Sequence, residues 1–461
     1  MNITPAKDIF YSKKDFFDEG NTRSYEFRIE QLILLKNTIK KYEKEISEAL
    51  YIDLNKSEFE AYASEIGFVY QELNYAIKNL RKWMKPKRVL DVIATMPSKT
   101  YLVAEPLGVV LIIGPWNYPF HLIFAPLIGA IAAGNCAIVK PSNKTKRTAI
   151  IVEKIIEEIY PAEYISVVQG PGSAIGPELI DNYRFNHIFF TGSQEVGKDV
   201  MRRAAQHLTP VTLELGGKSP VIVHKDANLN LAAKRIVSGR YYNAGQTCIA
   251  PDYLLVHEDV KEELVEDLIE HIKGLYGENA QASKDYGRIV NKNRFDILAN
   301  YLENARIIYG GNHDADDLYI EPTIIETANI DDPVMQEEIF GPLIPVITYR
   351  EIDQVVSIIR ASGYPLALYL FTNDKKLVEY IINTVEFGGG CINNTLLHLL
   401  NHRMPFGGVG ASGIGGYHGK YSFATFSNYK GILESHNKID VPLRYPPYSS
   451  KKFSVVKKIM K

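Results

Sequence analysis

The sequence predicts an α/β protein in which buried parallel strands alternate with helices. Between residues 108 and 191, four short and continuously apolar runs are separated by helical stretches, and such runs are typical of strands covered on both faces. The predicted strands are 108–114, 135–140, 164–168 and 187–191, and the predicted helices between them are 119–133, 145–160 and 173–182. A chain of 461 residues also exceeds one ordinary hydrophobic core, which predicts two or three domains.

The segments before this alternation have a different pattern. Residues 22–84 are predicted to be helical because apolar residues such as Leu32, Leu35 and Ile39 recur at three- and four-residue steps. Residues 89–103 are rich in Val, Ile and Thr, which predicts an exposed strand or pair of strands that leaves the domain as an arm.

A second α/β unit is predicted to begin near Leu213 and to extend to about Pro405. Its clearest elements are a charged helix at 261–276 and strands at 340–349 and 366–371. The glycine-rich stretch 406–416 is predicted to be a loop, and the aromatic sequence near 423–429 is predicted to be strand-like.

Composition excludes several classes of protein. Charged residues make up 23% and hydrophobic residues 46% of the chain, the formal net charge is -2, and basic residues form no patch with interleaved aromatics. This profile indicates a soluble globular protein that does not bind nucleic acid. Cys136, Cys248 and Cys391 are odd in number and form no CxxC pair, which favours a reducing compartment over a disulfide framework.

The chain carries no predicted membrane anchor. Residues 1–20 lack the apolar region of a secretory signal, and the apolar run 119–139 is interrupted by Pro126, Gly129 and Gly134. A buried helix followed by a buried strand explains that run, and we expect a cytoplasmic protein.

Polar or glycine residues follow three of the predicted strands. Asn117, Lys140 and Gly192 each stand just after a strand, and ligands of parallel sheets bind outside the carboxyl ends of the strands. These positions predict a cofactor crevice, although a solvated surface lysine is the ordinary alternative for Lys140.

The stretch from Gly192 to Lys198 nearly matches a phosphate-binding loop. Asp199 stands where the magnesium-binding Ser or Thr of an ATPase belongs, and a carboxylate there would repel a triphosphate. What remains is a glycine turn followed by a helix N-terminus at 196–206, which offers N–H groups to a pyrophosphate. An ordinary turn between a strand and a helix is an equally good interpretation of this spacing alone.

Three further residues have the chemistry of a catalytic site. Cys248 is a lone thiol in a run of small, polar and apolar residues, and Glu214 lies within an apolar, strand-like segment. Most lone cysteines are core residues, and Glu214 or Glu338 alone would be interpreted as a surface carboxylate. Burial of Glu214 would instead raise its pKa toward the working range of a general base. His398 and His402 are too few ligands for a zinc site, so no metal is predicted.

Seven motifs, in the order in which the family has them, together resemble the aldehyde dehydrogenase superfamily over about residues 25–447. Features such as Arg444-Tyr445-Pro446-Pro447 resemble its class 3 branch, which acts on fatty and aromatic aldehydes. The seven motifs lie at 115–119, 140–142, 190–193, 213–218, 245–248, 337–342 and 405–408. The resemblance implies the aldehyde dehydrogenase fold, with a Rossmann-type cofactor domain, an α/β catalytic domain and a small β oligomerisation arm.

The resemblance assigns catalytic roles to three residues. Cys248 would be the nucleophile that adds to the aldehyde carbon, and Asn117 with the Cys248 backbone N–H would form the oxyanion hole. Glu214 would activate the water that hydrolyses the resulting thioester and would help to deprotonate Cys248.

The resemblance also implies a cofactor, NAD or NADP. Lys140 would hold the adenosine ribose, Glu338 the nicotinamide ribose, and Phe340 would pack beside the ring. The remaining implied cofactor-binding residues are Gly192, Ser193, Gln194, Glu195, Val196 and Gly197. Family members that favour NAD often carry an acid where this chain has Asn143, and an amide does not repel a 2′-phosphate. NADP is therefore expected to be tolerated.

The resemblance divides the chain into domains and implies partners. Residues 1–86 and 106–212 would bind NAD(P), residues 213–405 would form the catalytic domain, and residues 87–105 with 421–446 would form the bridging arm of a homodimer. The partner molecule would be a small aldehyde.

Three other interpretations remain open at this point. A coenzyme A-acylating enzyme on the same fold would not need Glu214 as a base for water, and a thiol esterase would not need the cofactor motifs. A non-catalytic scaffold would not need Cys248, Glu214 and Asn117 together.

Overall fold

The structure, a computed structural model, describes residues 6–303, 305–327 and 330–460. Its α-helices are α1 (Ala6–Asp18), α2 (Tyr25–Leu54), α3 (Glu58–Ala61), α4 (Gly67–Met84), α5 (His121–Ala133), α6 (Lys146–Ile159), α7 (Gly172–Asn182), α8 (Gln194–Ala204), α9 (Leu229–Tyr241), α10 (Lys261–Tyr276), α11 (Lys292–Glu303), α12 (Pro333–Gln336), α13 (Ile352–Ala361), α14 (Lys375–Thr384), α15 (Lys420–Thr425) and α16 (Ser450–Ile459). A π-helical turn, Tyr62–Ile66, joins α3 to α4.

The strands form two large sheets and two small ones. They are β1 (Lys87–Val89), β2 (Ser98–Pro106), β3 (Val109–Ile113), β4 (Cys136–Lys140), β5 (Ile165–Val167), β6 (His187–Thr191), β7 (Val211–Glu214), β8 (Pro220–Val223), β9 (Tyr253–His257), β10 (Arg306–Tyr309), β11 (His313–Asp314), β12 (Tyr319–Ile320), β13 (Thr323–Glu326), β14 (Leu343–Tyr349), β15 (Ala367–Phe371), β16 (Gly389–Ile392), β17 (Gly413–Ile414) and β18 (Ser427–Ser435).

The first sheet has the order β17-β7-β6-β3-β4-β5, and all of its pairs are parallel except β17 with β7. The chain lays down β3, β4 and β5 in one direction and then returns to add β6 and β7 on the other side of β3. A parallel sheet that reverses in this way opens a crevice at the carboxyl ends of the two strands where the order changes. Here those strands are β3 and β6.

The second sheet has the order β10-β13-β14-β9-β8-β15-β16, with β10 as its antiparallel edge strand. Its central strands are buried along their whole length, as parallel strands covered by helices on both faces must be. The third sheet, β1-β2-β18, is antiparallel and joins the two segments that the sequence predicts to form the arm. All three residues of β1 are exposed to solvent.

Most of the predicted elements are confirmed. The four apolar runs are β3 to β6, the helices between them are α5 to α7, and helix 261–276 is α10. The apolar run 119–139 is the buried helix α5 followed by β4, and no helix in the described ranges is both long and apolar enough to cross a membrane.

Two predicted features differ from the structure. β7 includes Leu213, where the second unit is predicted to begin, yet it pairs with β6 in the first sheet, and the second sheet starts at Pro220. An apolar strand gives no indication of which sheet it joins, and the division into domains stays a prediction. The prediction of strand near 423–429 is wrong at its start: Phe423 lies in α15 with its side chain buried, and strand begins at Ser427.

Helix α6 is capped by another helix rather than by its own sequence. The residue before it, Thr145, makes no capping hydrogen bond. Asp53, at the end of α2, accepts hydrogen bonds from the Arg147 and Thr148 N–H groups at 3.2 and 2.7 Å and from the Thr148 hydroxyl at 2.8 Å. A carboxylate at this position satisfies free N–H groups and interacts favourably with the helix dipole.

Replacing Asp53 should therefore destabilise the protein. We expect Asp53→Ala to lower the free energy of unfolding by about 2 kcal/mol, as the loss of a helix cap with charged hydrogen bonds does. Asp296→Ala is the control: among the described residues Asp296 pairs only with Lys292, on an exposed helix surface, and its replacement should cost less than about 0.5 kcal/mol. Urea unfolding measures both, and equal midpoints would contradict the capping role.

Candidate active site

The sequence-predicted site residues lie where the two large sheets meet. Asn117 follows β3, Lys140 ends β4, Gly192 follows β6 and Glu214 ends β7, so all four lie at the carboxyl edge of the first sheet. The chain then crosses through residues 215–219 to the amino end of β8.

The amino edge of the second sheet supplies the other residues. Cys248 lies in the segment before β9, and Glu338 and Phe340 lie in the segment before β14. Contacts join the two edges: the Asn117 amide donates to the Gln246 carbonyl at 3.0 Å, and the backbone at Gly216 lies directly against the Glu338 carboxylate. The candidate site is therefore a junction between two sheet edges.

The backbone before Cys248 has an unusual conformation. Asn243, Ala244 and Gly245 have φ values of 52°, 50° and 74°, a left-handed conformation that costs an ordinary residue about 1–2 kcal/mol. Glycine is required at 245 because a Cβ there would also lie 2.3 Å from the Gly341 carbonyl oxygen. This tight turn brings the chain back from α9 and presents the thiol at the junction.

Buried polar side chains hold the segments around the thiol in place. Arg240 is fully buried and donates to the carbonyls of Pro251, at 2.8 Å, and Leu343. The Tyr369 hydroxyl donates to the Ile249 carbonyl at 2.6 Å. Groups of this kind keep a catalytic side chain in one position, since moving it would leave buried donors unpaired.

Asn117 is buried and fixed at both ends. Its side-chain nitrogen donates to the Gln246 carbonyl, and its backbone carbonyl accepts from Lys56 Nζ at 2.9 Å and Asn243 Nδ2 at 3.0 Å. An amide nitrogen carries two hydrogens, so one N–H remains for a ligand. A fixed neutral donor of this kind is suited to a developing oxyanion.

Glu214 is a buried carboxyl group with an unsatisfied side chain. It is 3% exposed, and within the described residues neither of its carboxylate oxygens has a hydrogen-bond partner. Burial raises the pKa of Glu214 well above its usual value. A buried acceptor without a partner is costly, which points to a water or a substrate atom as its missing partner.

Cys248 is partly buried beside these groups. Burial, Glu338 and Glu214 raise the pKa of the thiol, in that order, and this outweighs the lowering by the backbone N–H groups of Cys248 and Ile249. Without a bound ligand the thiol is thus protonated at neutral pH, and the two carboxyl groups beside it disfavour the thiolate wherever they are ionised.

Glu338 is held by residues that the sequence analysis does not single out. The buried Lys218 ammonium lies 2.5 Å from an Asp252 carboxylate oxygen and donates to the Glu337 carbonyl at 2.9 Å, while the other Asp252 oxygen accepts from the Ile339 N–H. Arg294 donates to the carbonyls of Glu338 and Ile339.

The Glu338 carboxylate itself lies against Gly216. A Cβ at residue 216 would come within 1.9 Å of Glu338 Oε2, so only glycine allows this approach. Burial and Asp252 raise the pKa of Glu338 to about 8. Beside it, the Phe340 ring packs edge-on against Trp116, with 5.2 Å between the ring centroids.

Lys140 is a buried cation with unused donors. It is 2% exposed, burial lowers its pKa, and in the part of the chain that the structure describes its ammonium donates only to the Pro141 carbonyl, at 3.3 Å. An ammonium has three N–H groups, so two remain for acceptors such as ribose hydroxyls.

The turn after β6 leads directly into helix α8, which begins at Gln194, two residues before the predicted start. Ser193 caps the helix by accepting from the Val196 N–H at 3.4 Å, and the Gln194 side chain donates to the Gly216 carbonyl at 3.0 Å. Glu195 and Val196 are exposed, and Gly197 is buried against Leu215. The helix N-terminus therefore presents free N–H groups beside the switch point between β3 and β6.

These donors fit a dinucleotide. A buried ammonium with free N–H groups and the N-terminus of a helix lie at one edge of a doubly wound sheet, where ribose hydroxyls and a pyrophosphate would find hydrogen-bond donors. Within the described ranges, no group of three or more His, Cys, Asp and Glu side chains is arranged to hold a metal ion.

Comparison with known proteins decides the family. A model of the "Aldehyde dehydrogenase family" matches residues 7–432. The chain belongs to the aldehyde dehydrogenase family. It is 48% identical over 463 residues to the 4,4'-diaponeurosporen-aldehyde dehydrogenase of Staphylococcus aureus, with 100% of both chains covered. It is also 44% identical to aldehyde dehydrogenase family 3 member A2 of Mus musculus, over 96% of this chain and 91% of the relative.

Solved structures agree with the sequence relatives. The substrate-bound state of Staphylococcus aureus AldH superposes with a TM-score of 0.97, at 47% identity and with 100% of both chains covered. The glyceraldehyde-3-phosphate dehydrogenase GapN of Methanocaldococcus jannaschii, complexed with NADP, superposes with a TM-score of 0.85 at 28% identity over 94% of both chains.

The resemblance drawn from the seven motifs is confirmed, as is the predicted fold. This aldehyde dehydrogenase is an oxidoreductase that uses NAD or NADP to oxidise aldehydes. The roles of individual residues are a separate matter and stay predictions.

Lys56 and Asn243 both donate to the backbone carbonyl of Asn117 in this aldehyde dehydrogenase, although neither is predicted from the sequence as a site residue. Lys56 stands 61 residues before Asn117, in the short connection between α2 and α3, and no local sequence pattern points to it. Asn243 adjoins the 245–248 motif, and its left-handed φ, which Asn tolerates better than most residues, is the one signal that the sequence offered.

The raised pKa of Cys248 predicts slow alkylation of the enzyme without cofactor. We expect the rate of reaction with iodoacetamide to be low at pH 7 and to rise with pH past the midpoint of a free thiol, about 8.5, because only the thiolate reacts. Glu214→Gln removes one negative neighbour and should increase the rate at pH 9. Mass spectrometry locates the label, Cys248→Ser gives the background from Cys391, and a wild-type rate at pH 7 equal to that of a free thiol would contradict the prediction.

Proposed function

We propose that Cys248 is the nucleophile of this aldehyde dehydrogenase and that Glu214 and Asn117 act on the same carbon. The observation that carries the proposal is the buried Glu214 carboxyl group, which has no described hydrogen-bond partner and lies near enough to Cys248 to raise the pKa of its thiol. Both carboxylate oxygens of the buried Glu65 have hydrogen-bond partners, whereas within the described residues neither oxygen of Glu214 has one. A carboxyl group kept in this state is suited to take a proton from water.

In the first step, the Cys248 thiol loses its proton, which Glu214 helps to take and passes on to solvent, and the thiolate adds to the aldehyde carbon to give the thiohemiacetal anion. The Asn117 amide and the Cys248 N–H donate to the oxygen that becomes negative. The turn at 243–245 and the hydrogen bond from Asn117 to Gln246 support this role, because they hold both donors before substrate arrives. One donor of this type contributes about 3 kcal/mol to the transition state.

In the second step, the intermediate loses a hydride and becomes a thioester on Cys248. NAD or NADP, when bound, supplies the acceptor for that hydride. Lys140 would donate to the adenosine ribose, the α8 N-terminus at 192–197 would face the pyrophosphate, Glu338 would accept from the nicotinamide ribose and Phe340 would pack beside the ring.

In the last step, Glu214 takes a proton from a water molecule as that water attacks the thioester. The carboxylic acid leaves and Cys248 is restored. This role separates the enzyme from a coenzyme A-acylating relative, in which a thiol would attack the thioester and a base for water would be unnecessary.

The substrate class is a medium- or long-chain aliphatic aldehyde or an aromatic aldehyde. Two relatives support this: the Staphylococcus aureus protein is named for 4,4'-diaponeurosporen-aldehyde, and the mouse relative belongs to family 3.

We propose a cytoplasmic homodimer, since canine and murine relatives are named as dimeric and the sheet β1-β2-β18 offers exposed strands for a bridging arm.

Two substitutions test the catalytic roles. Cys248→Ser should abolish NAD reduction with a medium-chain aldehyde, because no thiohemiacetal forms. Glu214→Gln should allow one burst of reduced nicotinamide per active site and then lower the steady rate by about 10²–10⁴-fold, the range that general bases contribute. Stopped-flow absorbance measures both, with Cys136→Ser as an active control.

Three outcomes would contradict the assignment. Normal turnover of Cys248→Ser excludes the nucleophile, and normal turnover of Glu214→Gln excludes the base. A wild-type enzyme that needs added coenzyme A for turnover is an acylating enzyme instead.

Asn143 bears on the choice between NAD and NADP. It is exposed in the turn after β4, three residues from Lys140, and it brings no negative charge near a 2′-phosphate. We expect kcat/KM with NADP to lie within about 10³-fold of the value with NAD, and Asn143→Glu to lower it at least tenfold through charge repulsion. Asn143→Gln is the neutral control. A wild-type NADP value more than a thousandfold below that of NAD would contradict the prediction.

A further inference from the structure

A buried ion pair lies beside the candidate site and has no part in the reaction proposed above. Lys56 follows α2, and Glu65 lies in the π-helical turn before α4. Both side chains are 0% exposed, and Lys56 Nζ lies 2.5 Å from Glu65 Oε1. π-Helical turns are rare and are often found at functional sites.

The remaining hydrogen bonds of this pair end on the loop that carries Asn117. Lys56 Nζ donates to the Asn117 carbonyl at 2.9 Å. Glu65 Oε2 accepts from the Phe120 N–H at 2.8 Å and the His121 N–H at 3.1 Å, at the start of α5. The pair thus holds the loop at two points. Lys56 binds its carbonyl group at Asn117, and Glu65 binds its N–H groups at Phe120 and His121.

A second route runs from Lys56 to the neighbour of Cys248. The Lys56 ammonium lies 4.0 Å from the centroid of the Tyr118 ring, within cation–π range. The Tyr118 hydroxyl is 2.5 Å from the Thr247 hydroxyl oxygen. Thr247 directly precedes Cys248, so Lys56 is connected to both residues that would donate to the oxyanion.

Stability alone does not explain a charged pair at this place. Desolvation of two charges offsets most of their attraction, and well-packed apolar residues often stabilise such a position equally well. The pair instead has directional contacts: in the described part of the chain its four hydrogen bonds and one cation–π contact all join the two residues to each other or to segment 117–121.

We propose that Lys56 and Glu65 are positioning residues that set the Asn117 amide for the oxyanion. The inference rests on the role proposed for Asn117, and it adds that this role depends on the Lys56–Glu65 pair. A displacement of about 1 Å at a catalytic donor is enough to slow a reaction substantially.

The matched control is Arg28, a buried cation that donates to a backbone carbonyl near the end of α5, as Lys56 donates to a backbone carbonyl just before its start. Arg28 is also buried and donates from Nη1 to the Ala132 carbonyl at 3.2 Å and from Nε to the Thr22 carbonyl at 2.9 Å. Loss of either cation removes carbonyl contacts of the same helix or its entry loop, but only Lys56 contacts Asn117.

A double-mutant cycle tests the inference. We expect Lys56→Met to lower kcat/KM at least tenfold, mainly through kcat, because an oxyanion donor acts in the transition state. In an Asn117→Ala background, which itself loses about 10²–10³-fold, Lys56→Met should change kcat/KM less than about twofold. Arg28→Met should leave kcat/KM of the wild type within about twofold, and the Kd for NAD should be unchanged in all three variants.

Glu65→Gln keeps the test decisive if Lys56→Met does not fold. The glutamine oxygen still accepts from the Phe120 and His121 N–H groups, while its amide no longer pairs with Lys56. We expect the same loss of kcat, again absent in the Asn117→Ala background. Additive losses with Asn117→Ala, or an equal loss in Arg28→Met, would overturn the inference while leaving the proposed function intact. A wild-type enzyme without aldehyde-dependent NAD(P) reduction would instead overturn the proposed function.

Discussion

One constraint governs this molecule: the carboxyl edge of one parallel sheet meets the amino edge of another. Asn117 and Glu214 come from the first edge, and Cys248 and Glu338 come from the second. Parallel strands leave unpaired polar groups at both ends, so a junction of two such edges needs dense hydrogen bonding. The hydrogen bond from Asn117 to Gln246 meets part of that need, and the close approach of Gly216 to the Glu338 carboxylate likewise brings the reactive groups of the two edges next to each other.

The electrostatics of the junction work against its nucleophile. Burial and two carboxyl groups all favour the protonated thiol of Cys248, and two buried lysines of the junction are paired with other carboxylates: Lys218 with Asp252, and Lys56 with Glu65. A thiol in such a site reacts with stray electrophiles slowly. Reactivity must therefore depend on what enters the site, because a positive group or a proton acceptor beside Cys248 would reverse the balance.

Much of this arrangement could be predicted from the sequence, for identifiable reasons. The strands β3 to β6 are continuously apolar, and the residues after them, Asn117 and Gly192, lie at one edge because parallel strands share a direction. The partner of β7 could not be predicted, since its apolar pattern suits either sheet. Lys56 was also beyond prediction: its importance comes from a contact across 61 positions, and a lysine after a helix has no local signature.

Sequence motifs identify the reacting groups better than they identify the residues that hold those groups in place. A nucleophile or a base needs one residue type in one local setting, so its surroundings in the chain are restricted. A supporting residue needs only a charge at the right place in space, which many helices can deliver from many positions. Lys56 and Arg294 both donate to backbone carbonyls, which every residue has, and so they leave no trace in the segments they hold. The precision of this site therefore resides largely in residues that no motif contains.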